Sequence, residues 1–140
     1  MTRDDIALVR SSFAAVVPIA DDAAALFYSR LFEIAPETRA LFGGDMREQG
    51  RKLMTMIGTV VRGLDNLPPL LGAIDDLGRR HVGYGVRDEH YATVGEALLW
   101  ALEQGLGDRF TAPTREAWAR AYAVLSGRMM AAAAEVDKAA

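Results

Sequence analysis

The stretch NLPPLLGAIDDLGRRHVGYGV, residues 66–86, decides the fold. Pro68 and Pro69 lack the amide protons that a preceding helix would need, yet suit the first turn of a new one, so one element ends near Asn66 and another starts at Pro68. From there Leu70, Ile74, Leu77 and His81 recur at steps of four, three and four, one face of a 3.6-residue period, until Gly83 and Gly85 break it. His81 completes that apolar stripe. Its ring therefore points inward, where an imidazole nitrogen needs a hydrogen-bond partner or a metal.

The helical period continues on both sides, with no alternating strand pattern anywhere. Thr2 with Asp5 three residues on reads as a capped start, followed by Ile6, Val9, Phe13 and Val17 on one face until Pro18 interrupts. A second helix spans about Ala20 to Ile34 and carries LFYSRLF; Pro36 opens a short turn that ends at Gly43–Gly44. Asp45 with Glu48 restarts a helix whose inner face is Gln49, Leu53, Ile57, Val60 and Leu64, stopping near Asp65–Asn66. After the proline-initiated helix, Asp88 begins another with Tyr91, Val94, Leu98 and Leu102 inward. Thr111 and Pro113 start the last, with Trp118, Tyr122, Leu125 and Met129 inward. The expectation is an all-α fold of six long helices and one or more short ones, a single domain over residues 1–140 without repeats or linker, and a fraying tail in AAAAEVDKAA.

Composition narrows the function classes. A chain of 140 residues is the size of one ordinary domain with one core. Sixteen basic against nineteen acidic residues give a net charge of −3, with no basic block and no glycine-rich phosphate loop, which argues against nucleic acid as a partner. No apolar run approaches the ~20 residues that span a bilayer, and MTRDD lacks the layout of a signal peptide; the expectation is a cytoplasmic protein with no membrane partner. The absence of cysteine excludes disulfides, thiolate zinc sites, cysteine nucleophiles and the C-x-x-C-H attachment of covalent haem.

Chemistry is left to histidine, carboxylates and hydroxyls, and there are two histidines. His90 lies about a quarter-turn off the apolar stripe of its helix, beside Asp88 and Glu89, and reads as solvated. Two imidazoles nine residues apart, without a carboxylate on the same face, make neither a zinc site nor a hydrolytic triad. A single inward imidazole suits one kind of metal: haem iron already has four ring nitrogens, so the protein need supply only one axial nitrogen and an apolar pocket. Two hydrogen-bond formers sit among apolar neighbours elsewhere, Gln49 on the inner face of its helix and Tyr28 at the centre of LFYSRLF, with Phe42 at the end of the short turn.

Together these residues resemble the globin family, most closely the single-domain bacterial haemoglobins and the globin domain of flavohaemoglobins. The resemblance covers nearly the whole chain. FYSRLFEIAPETRALF is similar to the family's second and third helices, NLPPLLGAIDDLGRRHVGYGV to the segment that leads to its proximal histidine, and HYATVGEALLWAL and AWARAYAVL to its last two helices. The intervals of 14 from Tyr28 to Phe42, 32 from Gln49 to His81 and 10 from His81 to Tyr91 match without gaps. The resemblance implies non-covalent haem b, with His81 as the proximal iron ligand and Tyr28 and Gln49 lining the distal pocket. Leu53 would crowd the sixth coordination position, Phe42 would stack on the porphyrin, Val86 and Val94 would pack on the proximal side, and Lys52 is placed to pair with a propionate.

It further implies a protein that reversibly binds oxygen, nitric oxide and other diatomic gases for storage, scavenging or delivery. An alternative is nitric oxide dioxygenation fed by an external reductase, since no flavin or nicotinamide domain follows. A third is a haemless interaction module, against which His81, Tyr28 and Gln49 argue together. In flavohaemoglobins a glutamate of the last helix bonds the tyrosine corresponding to Tyr91 and enriches the proximal histidine. At that place this chain has Ala133, and Glu135 falls on a different face, so Tyr91 is expected to lack its carboxylate.

Overall fold

In a computed structural model that describes residues 1–139, with side-chain surroundings through Val136, the chain forms six α-helices. They are α1 Arg3–Val16, α2 Ala20–Ile34, α3 Met46–Arg62, α4 Pro68–Gly83, α5 Asp88–Leu106 and α6 Ala112–Ala139. Short 3-10 turns cover Val17–Ile19, Pro36–Leu41 and Gly107–Arg109, and no strand occurs among the described residues. The starts follow local chemistry. Thr2 and Asp5 bond each other's backbone amides reciprocally, both at 3.1 Å, satisfying two donors that a helix start leaves free. Asp45 accepts from the Arg47 amide at 2.9 Å, and Pro68 begins α4 where its missing proton costs nothing.

Two expectations are corrected. Val17 does not face inward but is 58% exposed: α1 ends at Val16, which takes the buried place, and Val17 opens the 3-10 turn that contains Pro18. The third helix ends at Arg62, short of Asp65, as the Gly63 amide collects the last free carbonyls of α3. The alanine-rich tail continues α6 as helix to Ala139; the fraying expected at its extreme end lies outside the described residues.

Packing assembles α2 against α5 and α3, α1 against α6 and α3, and α4 against α6. The α2–α3 crossing is close enough that a Cβ on Gly50 would stand 2.9 Å from the Ala24 Cβ. Trp118 Nε1 donates to Ser12 Oγ at 2.8 Å, and that hydroxyl donates to the Leu8 carbonyl at 2.7 Å, so a buried polar chain joins α6 to α1 with its donors satisfied. Arg128 of α6 grips Asp75 of α4 through two bonds of 2.6 and 2.8 Å, a forked geometry that fixes the two helices in register.

The core does not form one mass. A large cluster contains Val9, Val16, Phe27, Tyr28, Leu31, Ile57, Val61, Leu98, Leu102 and Trp118. A smaller one holds Ile74, Tyr91 and Met129, with Leu70, Leu77, Val86, Leu125 and Met130 against it. Each fully buried aliphatic side chain contributes about 1.5–3 kcal/mol, so the large cluster carries most of the fold. The small cluster's task is to seat α4.

Candidate functional site

The last turn of α4 is built to hold one residue still. Gly85 has φ +87°, a conformation open to glycine, and this lets Val86 donate to the His81 carbonyl at 3.0 Å and Gly85 to the Val82 carbonyl at 3.0 Å. That double bond pattern closes the helix end, and Val86 then packs beside Tyr91, Ile74 and Met129. The His81 ring is anchored separately, by a 2.7 Å bond between Nδ1 and the Leu77 carbonyl one turn earlier. A carbonyl only accepts, so Nδ1 carries the proton and Nε2 is left with its lone pair. Burial holds the imidazole below its ordinary pKa; the Leu77 bond opposes that and the Arg80 charge reinforces it. Near neutral pH His81 is thus an uncharged ring with a free donor atom.

Two tyrosines flank that ring. Tyr91 lies nearly parallel, 6.5 Å between centroids, and Tyr84 lies tilted at 5.9 Å. Tyr91 is buried, and its hydroxyl has no hydrogen-bond partner among the described residues. Burial, with the Asp88 charge adding to it, raises its pKa. Its backbone carbonyl is occupied by the Tyr122 hydroxyl. Glu135, the nearest acid in sequence to Ala133, is engaged at 3.9 Å with Arg79 on the surface. Tyr84 is the reverse case, 59% exposed. Nothing in the helical period marked it, because it sits at the cap where the period stops.

His90 is corrected. It is 6% exposed rather than solvated, and its Nδ1 accepts from the Arg87 backbone amide at 2.9 Å, capping α5. Its position as the third residue of that helix was the available signal. The two histidines therefore use the same atom in opposite senses: Nδ1 donates in His81 and accepts in His90.

The other predicted residues gather in the large cluster. Tyr28 is buried at the centre of an aromatic group, with Phe42 edge-on at 5.3 Å, Phe27 edge-on at 4.9 Å and Phe32 stacked at 6.0 Å. Desolvation pushes its phenol up to about 12, and hydrogen bonding with the Gln49 side chain partly offsets this. Leu53 and Phe42 are half-buried against the same cluster. Val94 packs with them too, whereas Val86 packs with Tyr91 in the smaller cluster. Lys52 is exposed on α3 beside a depression also lined by Glu48, Arg51, Thr55 and Met56. The structure brings Tyr28, Phe42, Gln49 and Leu53 together on the α2–α3 side, and His81, Tyr91 and Val86 together on the α4 side.

No group of three or more His, Asp or Glu side chains able to hold a metal ion occurs among the described residues. His81 offers one nitrogen. A single neutral imidazole fits a metal that brings its remaining ligands with it.

Comparison with known proteins agrees with this layout. A model of the family described as Globin matches residues 25–129. A neuroglobin of Chaenocephalus aceratus is 32% identical over 143 residues, covering 92% of this chain and 90% of that protein. A flavohemoprotein of Xylella fastidiosa is 40% identical over 98 residues, 68% of this chain and 24% of that protein, so the match spans about a quarter of the relative's length. Among solved structures, an engineered carbene transferase from Rhodothermus marinus, provisionally assigned as a nitric oxide dioxygenase, superposes with a TM-score of 0.90 at 31% identity over 99% of this chain and 97% of that one. A bacterial globin from Campylobacter jejuni gives 0.86 at 25% identity, over 98% and 99%.

Proposed function

The chain belongs to the globin family, and from that premise we propose that it holds haem b non-covalently through His81 and reversibly binds oxygen and other diatomic gases. The observation that carries this reading is the 2.7 Å bond from His81 Nδ1 to the Leu77 carbonyl, which leaves Nε2 unprotonated at the mouth of α4. Haem bound there would be held by His81 and would supply an iron able to take a small gas molecule.

The chain's own residues do the rest. Leu77 and the capped end of α4 fix the direction in which Nε2 points, so the ring need not be ordered when the metal arrives. Tyr91 backs the ring, and Val86 packs against the cluster that holds Tyr91. On the other side, Tyr28 stays protonated across the neutral range and holds an O–H for any ligand atom that gains negative charge, while Gln49 can donate from its amide. Leu53, Phe42 and the surrounding aromatic group exclude water from that donor. Lys52, one of the exposed cations of α3, would suit a propionate.

A second reading is nitric oxide dioxygenation with electrons from an external reductase, favoured by the assignment of the Rhodothermus marinus relative. The unpartnered Tyr91 hydroxyl weighs toward gas binding, because among the described residues no carboxylate bonds it to make His81 a stronger electron donor. The test is an optical titration with haem. His81→Ala should lose stable haem while His90→Ala keeps the unaltered spectrum; loss in the second and retention in the first would overturn the reading.

A further inference from the structure

The helix that carries His81 rests chiefly on one neighbour, α6. Their backbones come together at Gly78 and Met129, where an added Cβ would stand 2.8 Å from the Met129 Cα. Asp75 and His81 lie three residues to either side of Gly78, and at a rise of about 1.5 Å per residue each is ~4.5 Å from that contact along the axis. A stiff helix that rocks about Gly78 therefore moves Asp75 and His81 by similar distances in opposite senses. The apolar side chains around the contact, Ile74, Leu77, Leu125 and Met130, give attraction without direction, and methionine adapts to small shifts. Direction comes from the fork that Arg128 Nε and Nη2 make to the two carboxylate oxygens of Asp75, 2.6 and 2.8 Å, which fixes an angle as well as a distance. The Asp75 side chain is 18% exposed, so water competes little for it. The bridge from Arg79 to Glu135, which also joins these helices, is 3.9 Å long with Glu135 74% exposed, and constrains little. Nearer its start, α6 is tied to α1 through Trp118 with Ser12 and Arg120 with Asp5, which makes it the fixed frame.

We propose that Asp75 and Arg128 are positioning residues for the iron–histidine bond: their fork sets the tilt of α4 on α6, and through the Gly78 contact that tilt sets where His81 Nε2 stands relative to the metal. This rests on the haem reading above. Neither group is a ligand; both act through the helix. With the fork closed, the Leu77 carbonyl and the His81 ring bonded to it ride on a helix held at one angle. With the fork open, the helix samples a range of tilts about Gly78. The imidazole then meets the metal at a range of distances and angles, and the mean bond lengthens.

The experiment compares the haem-loaded wild type with Arg128→Met, which removes the fork and keeps an apolar stem, Arg128→Lys, which keeps the charge without the fork, and Arg120→Met, which breaks the tie of α6 to Asp5 instead. Stoichiometric haem is verified by optical spectrum. Amide hydrogen exchange is then read by mass spectrometry, and the ferrous iron–histidine stretching band by resonance Raman. In Arg128→Met the amides of residues 68–83 should exchange about three- to tenfold faster, the loss expected of a two-point, partly exposed ion pair. Its iron–histidine band should broaden and move to lower frequency, with Arg128→Lys between it and the wild type. Arg120→Met should lower the urea midpoint and leave both the band and the exchange of residues 68–83 unchanged. An unshifted band in Arg128→Met overturns the proposal whatever happens to stability, and so does an equal shift in Arg120→Met, which would mark a general loosening. Should Arg128→Met fail to fold, Asp75→Asn, which keeps the shape of the side chain, takes its place, and an unshifted band there overturns the proposal equally. Failure of the wild-type chain to take haem overturns the haem reading, and this proposal with it, and shows in the optical spectrum before any variant is compared.

Discussion

A Cβ added to Gly78 would stand 2.8 Å from the Met129 Cα, so α4 and α6 cross backbone against backbone three residues before His81. Nothing flexible can give way there. Gly78→Ala should therefore cost about 1–3 kcal/mol of stability by overpacking, and should weaken haem retention by displacing the turn that carries Leu77 and His81. Gly72, on the same helix with no atom within 4 Å of its added Cβ, is the control: Gly72→Ala should gain about 0.5–1 kcal/mol from helix propensity. Urea unfolding of both variants, with haem titration alongside, checks the pair.

The unpartnered Tyr91 hydroxyl gives a prediction of opposite sign to most core changes. Removing it as Tyr91→Phe deletes a buried polar atom that has no bond to lose, so the haem-free chain should become more stable by about 1 kcal/mol. A loss of stability of that size would show that the hydroxyl is satisfied in solution. Ala133→Glu addresses the same atom from the other side: a carboxylate reaching Tyr91 should raise the ferrous iron–histidine stretching frequency.

Alkaline stability should report the burial of Tyr28. Its pKa is raised from 10.0 to about 12, so the folded state holds a proton that the unfolded state releases first. The stabilisation is complete below pH 10 and is lost as pH rises from 10 towards 12. The two-unit rise corresponds to roughly 2–3 kcal/mol for complete loss. Tyr122, raised by burial in the same direction, adds to the decline. Urea midpoints followed across that range should fall steeply for the wild type and less steeply for Tyr28→Phe.

The features legible in the sequence and those that were not differ in physical kind. The stripe Leu70, Ile74, Leu77, His81 gave the direction of His81 because helical periodicity alone fixes which face is buried, and the Thr2–Asp5 cap followed from two residues three apart. Val17 and His90 were misread for a shared reason. Both sit at helix ends, where 3-10 geometry or a capping bond overrides the period that predicts the interior. Tyr84 escaped notice likewise, and the separation of the core into two clusters depends on contacts between distant helices that no local pattern encodes.

The role of Tyr28 and Gln49 separates storage from turnover. Tyr28 lies buried among Phe27, Phe32 and Phe42 and remains protonated at neutral pH, so its O–H is available to a gas ligand whose outer atom carries charge. Tyr28→Phe keeps that volume and removes the donor. A charge-assisted bond of ~1.5–3 kcal/mol is then lost, and oxygen should dissociate about ten- to a hundredfold faster. Gln49→Leu should do less, because its amide is only half-buried and the phenol is the better-enclosed donor. Carbon monoxide, with little charge on its outer atom, should leave at nearly the same rate in all three proteins. If the two side chains instead block the metal in the ligand-free state, the same substitutions would speed association of both gases and leave oxygen release unchanged. Stopped-flow rates with oxygen and carbon monoxide distinguish these outcomes. Oxygen release slower than about once per second in the unaltered protein, the regime of a strongly held ligand, would weigh against ready delivery and toward dioxygenation or sensing.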